Sequence, residues 1–324
     1  MSTSSHGRDL SARLPEAAHR PKRILLTGAT GFIGQRLQAA LLGSDRQVSA
    51  VVRPASAGSP SLDAACQIIL ADLSDVDALA SACVEADAVV YCAGTVRGRE
   101  LDDFRAANID GVAAATEALN RASANTPFLL ISSLAAAAPE LSDYARSKYL
   151  GEEVLKENSR FPWSILRPPA VYGPGDTEMR PILEAARKGL VIRPGPPDQR
   201  LSLLHADDLA AAVLAWFEAW PACAGRTFSL DDGRPGGYDW PAFAAAAGGT
   251  GSRIVGVPRW LLNSVAETNL LVSRRVGYAP MLTPGKTREL TRTQWLCDNA
   301  AFSEATGWMP ATLLEDGVRS LFDD

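Results

Sequence analysis

The chain has 324 residues, of which 47% are hydrophobic and 21% are charged, and its formal net charge is -5. These values are typical of a globular protein with a large core, built as one domain or as two coupled ones. The negative charge, without a basic arm or a pattern of stacking aromatics, argues against nucleic acid as the main partner.

The numbers and positions of the cysteines and histidines indicate whether disulfides or metal sites are expected. The five cysteines, at positions 66, 83, 92, 223 and 297, are odd in number and show no CxxC spacing. We therefore expect reduced thiols in a cytoplasmic protein, without a disulfide framework or a zinc site. The three histidines, at positions 6, 19 and 205, are too scattered for a metal cluster, so no metal is expected. No apolar run reaches the ~18 residues of a transmembrane segment.

The first segment, residues 1–21, is rich in Ser, Arg, His and Pro and shows no periodicity. We interpret it as a disordered tail. Its Arg and Ser content faintly resembles a transit peptide, but Asp9 and Glu16 argue against that interpretation.

Strands and helices then alternate through the first 170 residues. The predicted strands lie at Ile24–Leu26 and within "QVSAVVRPAS", "CQIILADLSD", "ADAVVYCAGT", "PFLLISSLAA" and "WSILRPPAVYG". The predicted helices run through Leu37, Ala40 and Leu41, and over Val76–Val84, Phe104–Ser123 and Tyr144–Asn158. Because the strands are near-continuous apolar runs, we expect a parallel sheet buried on both faces. The predicted fold is α/β, a doubly wound parallel sheet of the Rossmann type.

The regular alternation ends after Gly173 in a segment rich in Gly, Pro and charge. "LSLLHADDLAAAVLAWFEAW" then predicts a strand and a helix, with Asp207 or Asp208 as the N-cap. We expect residues 22–172 and 198–232 to form the dinucleotide-binding Rossmann domain. Residues 173–197 and 233–324 would form a smaller, irregular C-terminal substrate-binding region.

The stretch "TGATGFIG" follows the first strand and opens the first helix, which is where a GxxGxxG pattern indicates dinucleotide binding. Gly28 permits the tight turn, Gly31 lets the backbone approach a pyrophosphate, and Gly34 allows close packing of helix on sheet. The helix N-terminus offers free N–H groups and the positive end of a dipole to the phosphates.

Several motifs in order resemble the extended short-chain dehydrogenase/reductase family, also called NAD(P)-dependent epimerase/dehydratases. They are the glycine turn, "ADL", "YCAGT", "LLISS", the Tyr144–Lys148 pair, "RPPAVYGPGD" and the closing "DNAAFSEATGWMPATLLEDGVRSL". The resemblance covers residues 22–324. It implies that the cofactor-binding residues are Gly28, Thr30, Gly31, Phe32, Ile33, Gly34, Arg53, Asp72, Leu73, Ala93, Gly94, Tyr144, Lys148 and Pro168.

The resemblance also implies the catalytic residues Ser133, Tyr144, Lys148 and Asn108. Tyr144 would protonate a carbonyl oxygen as hydride arrives, which calls for a lowered phenol pKa, and a nearby cation such as Lys148 favours phenolate. Ser133 would bind the substrate oxygen, with Ser132 as the competitor. Without these neighbours, Tyr144 and Lys148 would be an ordinary four-apart pair on a helix surface.

Three supporting residues have a structural interpretation beside the functional one. Asp72 matches an acid that holds the adenine amino group, but it could equally be a helix N-cap. Asn108 matches an asparagine that organises the site, against a satisfied buried amide. His205 stands where the family has a common aromatic, and we expect it to pack in the core. The loop after Ser133, "LAAAAPELSD", is shorter than in many extended members, and we expect it to be small and apolar.

Arg53, at the end of the second strand, bears on the choice of cofactor. An acid there would bind the ribose 2′-OH of NAD, whereas Arg suits a 2′-phosphate. We therefore predict NADP(H), with Ser56 assisting and NAD(H) as the alternative. The other interpretation is that Arg53 only covers the adenine face.

The preferred function is an NADP(H)-dependent ketoreductase or dehydrogenase acting by Ser-Tyr-Lys chemistry. The alternatives are a nucleotide-sugar epimerase and a non-catalytic NADP(H)-binding protein. Dehydration is not expected, because Leu134 and Ala135 follow Ser133 where dehydratases of the family carry Asp and Glu. The resemblance leaves the oligomeric state open between a monomer and a homodimer, since members of the family often dimerise through helices of the dinucleotide domain.

We expect an apolar small-molecule substrate, such as a keto-lipid or a polycyclic ketone. Position 201 is Leu where nucleotide-sugar members carry a diphosphate-binding Arg, and Arg200 is one residue out of phase. "VPRWLLNSVAETNLLV" carries Trp260, Leu261, Leu262, Val265, Leu270 and Leu271. This segment would line an apolar pocket, rest on a membrane surface, or be an ordinary core helix. The cations Arg187, Lys188, Arg193 and Arg200 keep a phosphate-bearing or carrier-linked substrate open.

Overall fold

The computed structural model describes residues 20–123, 125–248 and 251–322. The tail expected at residues 1–21 lies outside the described residues, apart from positions 20 and 21. The described strands are β1 Arg23–Thr27, β2 Gln47–Val52, β3 Gln67–Leu70, β4 Ala88–Tyr91, β5 Phe128–Ile131, β6 Trp163–Arg167, β7 Ala170–Tyr172, β8 Leu190–Arg193, β9 Arg200–Leu201, β10 Leu203–His205, β11 Arg226–Ser229, β12 Arg253–Gly256 and β13 Gln294–Trp295.

Seven of these strands form one parallel sheet in the order β3-β2-β1-β4-β5-β6-β11. The first six follow the doubly wound order 3-2-1-4-5-6, with β11 added beside β6. All four residues of β4 and all four of β5 are buried. The prediction of an α/β fold with a doubly wound parallel sheet is confirmed. The apolar runs predicted it because a sheet covered on both faces needs apolar side chains on both sides of each strand.

The described helices are α1 Phe32–Leu42, α2 Val76–Val84, α3 Leu101–Arg105, α4 Gly111–Ala122, α5 Asp143–Asn158, α6 Arg180–Arg187, α7 Ala206–Cys223, α8 Trp240–Gly248, α9 Arg259–Val276, α10 Pro284–Leu290, α11 Ala300–Thr306 and α12 Leu314–Phe322. Helices α1, α7 and α11 cover one face of the sheet, where Leu37, Val213 and Phe302 share one core. Helices α2, α4 and α5 cover the other face, where Leu79, Val112 and Leu155 share a second core.

The helix expected over Phe104–Ser123 is not one continuous α-helix. A π-helical segment, Ala106–Asp110, interrupts it between α3 and α4. Such insertions occur mostly at functional sites, and this one contains Asn108. The spacing of apolar residues along this segment does not predict the π-helical turn, because adding one residue to one turn leaves the local composition unchanged.

Three other expectations about elements were wrong. The sixth strand ends at Arg167, because Pro168 and Pro169 have no N–H to continue the ladder, and β7 pairs with β10 in a separate sheet. The N-cap of α7 is His205, whose Nδ1 accepts from the Asp207 N–H at 3.3 Å. The N-cap of α2 is Asp75, so Asp72 does not cap a helix.

The C-terminal third contains helices α8 to α12 with short strands between them. Part of it shares a third core, in which Tyr172 and Leu183 pack with Tyr238, Trp240 and Leu314. Within the described residues, no helix has both the length and the apolar character needed to cross a membrane. The division into a dinucleotide-binding domain and a substrate-binding region stays a prediction.

Candidate active site

The glycine turn lies between β1 and α1, beside the end of β4. Gly28 has a φ of 72°, and a Cβ there would lie 2.6 Å from the Ala93 nitrogen. A Cβ on Gly34 would lie 2.0 Å from the Gly28 carbonyl oxygen. Only glycine fits these two positions, since the first needs a positive φ and the second the close approach of helix to strand. The turn is therefore held against the point where the strand order reverses.

The N-terminus of α1 fits a dinucleotide pyrophosphate. Gly31 is the N-cap, and no side chain within the described part of the chain caps this end of the helix. The amides that follow, at Phe32 and Ile33, begin a helix whose dipole favours anions. Thr30 precedes the cap, and its carbonyl oxygen accepts from Gln35 Nε2 at 3.2 Å. The glycine cradle and the uncapped helix end together match the shape and charge that a nicotinamide dinucleotide requires.

The far ends of β2 and β3 carry the two residues expected near the adenosine. Arg53 is exposed, and no hydrogen bond or ion pair engages its side chain among the described residues. Asp72 accepts from the Ser74 N–H at 3.2 Å and from Ser74 Oγ at 3.1 Å. Leu73 packs on the core beneath. Arg53 is therefore available to a 2′-phosphate or to the adenine face, and the choice between these roles stays a prediction.

Tyr144 stands in the first turn of α5, whose N-cap Ser142 accepts from the Ala145 N–H at 3.0 Å. Burial raises the pKa of Tyr144 to about 12, a hydrogen bond with Ser133 acts to lower it, and Glu289 acts to raise it. The pKa of Tyr144 is therefore raised, and the lowered phenol pKa expected from the sequence is wrong. The reason is that burial disfavours the phenolate more strongly than its polar neighbours favour it.

Lys148 is buried one turn further along α5. Its Nζ donates to the Ile131 carbonyl oxygen at 3.0 Å, at the end of β5. Burial lowers its pKa to about 8, although Cys92 and Glu152 act to raise it. A Cβ on Gly94 would lie 3.6 Å from this Nζ, so the end of β4 borders the ammonium.

Asn108 packs against the same place from the π-helical segment. Its Nδ2 donates to the Thr95 carbonyl oxygen and to Ser147 Oγ, both at 2.9 Å, and its Oδ1 accepts from the Thr95 N–H at 3.0 Å. It is a buried, fully bonded amide, and a Cβ on Gly94 would lie 3.2 Å from its Oδ1. The structural and the organising interpretations are compatible, because the amide fixes the strand end beside Lys148.

The two neighbouring serines have separate surroundings. Ser132 is buried, and its Oγ donates to Glu152 Oε1 at 2.5 Å. The Ser133 side chain forms a hydrogen bond with Tyr144. The next residue, Leu134, donates its N–H to the Pro168 carbonyl oxygen at 2.8 Å. This arrangement favours Ser133 over Ser132 as the hydroxyl that faces a substrate.

A buried ion pair next to these serines was not predicted from the sequence. Glu152 is fully buried, and Arg167 donates to it through Nε at 2.9 Å and through Nη2 at 2.5 Å. The only sequence signal was that Glu152 lies four residues after Lys148, on the same side of α5. This pair ties α5 to β6 and, through Ser132, to β5.

A cavity of about 260 Å³ adjoins Tyr144. It is lined by Val96, Gly98, Arg99, Glu100, Phe104, Ser142, Asp143, Tyr144, Leu270, Arg274, Pro280, Met281, Thr283, Pro284, Gly285, Lys286, Arg288 and Glu289. One wall comes from the segment after β4, and the opposite wall comes from α9 and the chain that follows it. Within the predicted loop, residues 134, 135, 136 and 138 are buried, Ala137 is exposed, and none of these five lines the cavity, whereas Ser142 and Asp143 at the end of the loop do.

The wall of the cavity formed by the C-terminal residues is hydrogen-bonded to the start of α5. Glu289 is buried and accepts from Ser142 Oγ and, at 2.7 Å, from Lys286 Nζ. The same Nζ lies 5.7 Å from the centre of the Tyr144 ring. Lys286 and Glu289 were not predicted as site residues, because nothing in their local sequence distinguishes them from residues of an exposed helix.

The cations at the cavity differ from those singled out in the sequence. Arg99, Arg274, Lys286 and Arg288 line it, whereas Arg187, Lys188, Arg193 and Arg200 do not. Arg200 donates instead to the Gly236 carbonyl oxygen at 3.2 Å. His205 is a buried core residue whose ring lies 5.2 Å from that of Tyr172, and its pKa is lowered by burial.

Comparisons with known proteins agree with this architecture. Residues 24–228 match the model of the family described as the NAD dependent epimerase/dehydratase family. The chain is 30% identical to the ceramide reductase of Caulobacter vibrioides over 314 residues, covering 90% of this chain and 97% of that protein. It is 27% identical to the 2-alkyl-3-oxoalkanoate reductase of Stenotrophomonas maltophilia, covering 92% and 98% of the two chains.

Solved structures share the fold. The UDP-glucuronic acid 4-epimerase of Bacillus cereus, in complex with UDP-glucuronic acid and NAD, superimposes with a TM-score of 0.68. The match covers 93% of this chain and 98% of that one, at 20% identity. At this identity the likeness concerns the fold alone.

Proposed function

Because the chain belongs to the NAD dependent epimerase/dehydratase family, we propose that it reduces the ketone of an apolar, alkyl-chain substrate with NADP(H). It is an NAD(P)-dependent oxidoreductase of the extended short-chain dehydrogenase/reductase type and uses a nicotinamide cofactor. The proposal adds the direction, the choice of NADP(H), the class of substrate and the Ser-Tyr-Lys chemistry.

The observation that carries the proposal is the placing of Tyr144 between Ser133 and the cavity, with Lys148 buried behind it. The cofactor, when bound, supplies the hydride. With a pKa of about 12, Tyr144 remains protonated at neutral pH, as a proton donor to a carbonyl oxygen must. Ser133 would hold that oxygen, and Lys148 would hold the cofactor ribose and favour the phenolate once the proton has left.

Two relatives support an alkyl-chain substrate. One is named for reducing a ceramide and the other for reducing a 2-alkyl-3-oxoalkanoate, and each is covered almost end to end. Position 201 is Leu where the nucleotide-sugar members carry a diphosphate-binding arginine, and Arg200 donates to the Gly236 carbonyl oxygen and does not line the cavity. Both observations favour a substrate other than a nucleotide sugar.

Two observations keep the epimerase as a second candidate. The four cations that line the cavity could hold the diphosphate of a nucleotide sugar. The chain is also 29% identical to the UDP-glucose 4-epimerase of Vibrio cholerae over 247 residues. The two functions differ in their products, since an epimerase recycles its cofactor and a reductase consumes NADPH.

The test compares two substrate panels and one variant. NADPH oxidation is followed with long-chain ketones, 3-oxo acids and polycyclic ketones, and sugar interconversion is followed with UDP- and GDP-sugars. Tyr144→Phe should lower turnover by about 10²–10⁴ and leave NADPH affinity nearly unchanged, because the ring stays in place and only the proton-donating hydroxyl is removed. Tyr149→Phe, on the same helix, is the control and should keep full turnover.

Faster epimerisation of any nucleotide sugar than reduction of every ketone would replace the reductase by the epimerase. Near-full turnover of Tyr144→Phe would contradict the proposed acid. Tight NADPH binding without turnover on either panel would favour the non-catalytic alternative.

A further inference from the structure

Helix α9 turns an apolar face to solvent. Of its 18 residues, only Ala266 and Ser273 are buried, so the interpretation as an ordinary core helix is wrong. The exposed apolar residues and their exposed fractions are Trp260 69%, Leu261 40%, Val265 49%, Leu271 62%, Val272 44% and Val276 72%. We call these six residues the α9 apolar face. Isolated exposed side chains need no explanation, but six on one helix do.

The six residues share one side of the helix. With 3.6 residues per turn, they fall within a sector of roughly 160°. The other members of that sector are Ser264, Thr268 and Arg275. A helix with this pattern is suited to lie in the plane of a membrane interface, with its apolar side chains among the acyl chains.

Charge at the ends of α9 favours an anionic surface. Arg259 begins the helix and Arg274 and Arg275 lie in its last turn, and all three are exposed. Among residues 20–123, 125–248 and 251–322, no carboxylate pairs with any of them. Glu267, at the border of the apolar face, is the one acid of the helix. The whole chain carries a net charge of -5, so this local excess of cations is not a general property of its surface.

The opposite side of α9 lines the cavity of the candidate active site. Leu270 and Arg274 line the cavity beside Tyr144. Val265 and Val272, from the apolar face, line a second, open hollow of about 440 Å³. An interface occupied by the apolar face would therefore lie one helix diameter from the cavity.

We propose that the α9 apolar face docks on the surface of an anionic lipid bilayer, from which the active site receives its substrate. The docking follows from the exposed residues and their charges, and the delivery rests on the proposed function. A second copy of the chain is a poorer occupant. Two α9 helices related by a two-fold axis across them would run antiparallel and bring Arg259 of each against Arg274 and Arg275 of the other. With the axis along the helices they would run parallel and bring each of these arginines against its own copy, so like charges meet in either arrangement.

The docking is tested with the full chain and two kinds of vesicle. One contains phosphatidylcholine and phosphatidylglycerol, and the other contains phosphatidylcholine alone. We expect co-sedimentation with the anionic vesicles, and at least about tenfold weaker binding for Trp260→Ser/Leu271→Ser. The matched control is Leu70→Ser/Val84→Ser, whose wild-type residues are 57% and 64% exposed on the Rossmann part, and it should bind like wild type.

The charge contribution has its own pair of variants. Arg259→Glu/Arg275→Glu should abolish the preference for anionic vesicles, whereas Arg160→Glu/Arg319→Glu, the same change of charge elsewhere, should retain it. NADPH binding by each variant verifies that it is folded. Failure of the wild type to bind anionic vesicles, or equal binding by the α9 variant and its control, would overturn the docking. So would concentration-dependent dimers that Trp260→Ser/Leu271→Ser disrupts without any vesicle binding.

Two further measurements separate the docking from the proposed function. Tyr144→Phe should bind vesicles like wild type, so a failed reductase leaves the docking intact. Trp260→Ser/Leu271→Ser should reduce a water-soluble ketone at the wild-type rate but lose most of its rate on a vesicle-borne ketone. Equal rates on the vesicle-borne ketone would overturn the delivery of substrate from the membrane.

Discussion

Lys148 holds its charge in a buried position, and this makes the proposed chemistry sensitive to pH. Its pKa is lowered to about 8, so the ammonium present at pH 7 is lost as pH rises through 8. Tyr144, with a pKa of about 12, still carries its proton over that range. Above pH 8 the site would therefore keep its proton donor but lose the cation that assists it.

We expect kcat/KM for ketone reduction to fall as pH rises above about 8, because Lys148 loses its charge there. Lys148→Arg should lower the rate, since a planar guanidinium does not fit the same buried contact with Ile131, but it should remove this pH dependence. A pH–rate profile of both proteins measures the effect. The exposed Lys22→Arg is the control, and an unchanged fall in Lys148→Arg would assign it to another group.

Arg53 offers a second prediction at the scale of one residue. Its side chain is exposed and unpaired within the described residues, at the end of β2 where the ribose of a bound cofactor would lie. If it contacts the 2′-phosphate, Arg53→Ala should weaken NADPH binding by on the order of 1.5–3 kcal/mol and leave NADH binding unchanged. Titration of each cofactor measures this. Equal losses for both would mean that Arg53 covers the adenine face.

At the scale of elements, the crossing of α5 with the π-helical segment places Lys148 beside Asn108. Gly151, inside α5, permits the contact, because a Cβ there would lie 2.1 Å from the Asn108 carbonyl oxygen. That neighbour is backbone and cannot turn aside. The close approach therefore depends on a missing side chain.

Gly151→Ala should destabilise the protein and reduce turnover. Relative to glycine, alanine stabilises an isolated helix by about 1 kcal/mol. Here, however, its Cβ would overpack against the Asn108 backbone, which costs about 1–3 kcal/mol and would displace Asn108 from Ser147. Urea unfolding and steady-state kinetics measure the two effects. Gly58→Ala, where a Cβ meets nothing within 4 Å, should change stability by less than about 0.5 kcal/mol. A Gly151→Ala variant as stable and active as wild type would show that α5 can move away without consequence.

At the scale of the whole molecule, the C-terminal wall of the cavity depends on a few contacts with the Rossmann part. Glu289 of α10 accepts from Ser142, the N-cap of α5, and from Lys286. Arg288 Nε donates to the Leu141 carbonyl oxygen at 2.7 Å. These contacts fix the substrate side of the cavity to the helix that carries Tyr144.

Glu289→Ala should loosen this connection and leave the cofactor site intact. Loss of hydrogen bonds to a buried carboxylate costs on the order of 1.5–3 kcal/mol, and the KM for the ketone should rise while NADPH affinity stays unchanged. Thermal unfolding, kinetics and cofactor titration measure these quantities. The exposed Glu304→Ala, on α11, is the matched control. A parallel loss of NADPH affinity would indicate that the whole Rossmann part had been disturbed.

The features that the sequence alone determined are those written in consecutive residues. The glycine turn, the apolar runs of the sheet and the four-residue spacing of Tyr144 and Lys148 each depend on neighbours along the chain. Their physical causes, backbone freedom, burial on two faces and the helical repeat, act over a few residues. They predicted the fold and put Tyr144 and Lys148 one turn apart on a helix, whereas Ser133 was implied by the resemblance to the family.

The tertiary structure decided what depends on residues distant in sequence. The Ser142–Glu289 contact joins residues 147 positions apart in sequence. The Glu152–Arg167 pair forms only because α5 packs on the sheet with Glu152 next to the end of β6. The lowered pKa of Lys148 and the raised pKa of Tyr144 arise from burial, which the chain acquires only when packed. For α9, an apolar stripe has the same helical period whether it faces the core or solvent, so only the packed structure reveals that it is exposed.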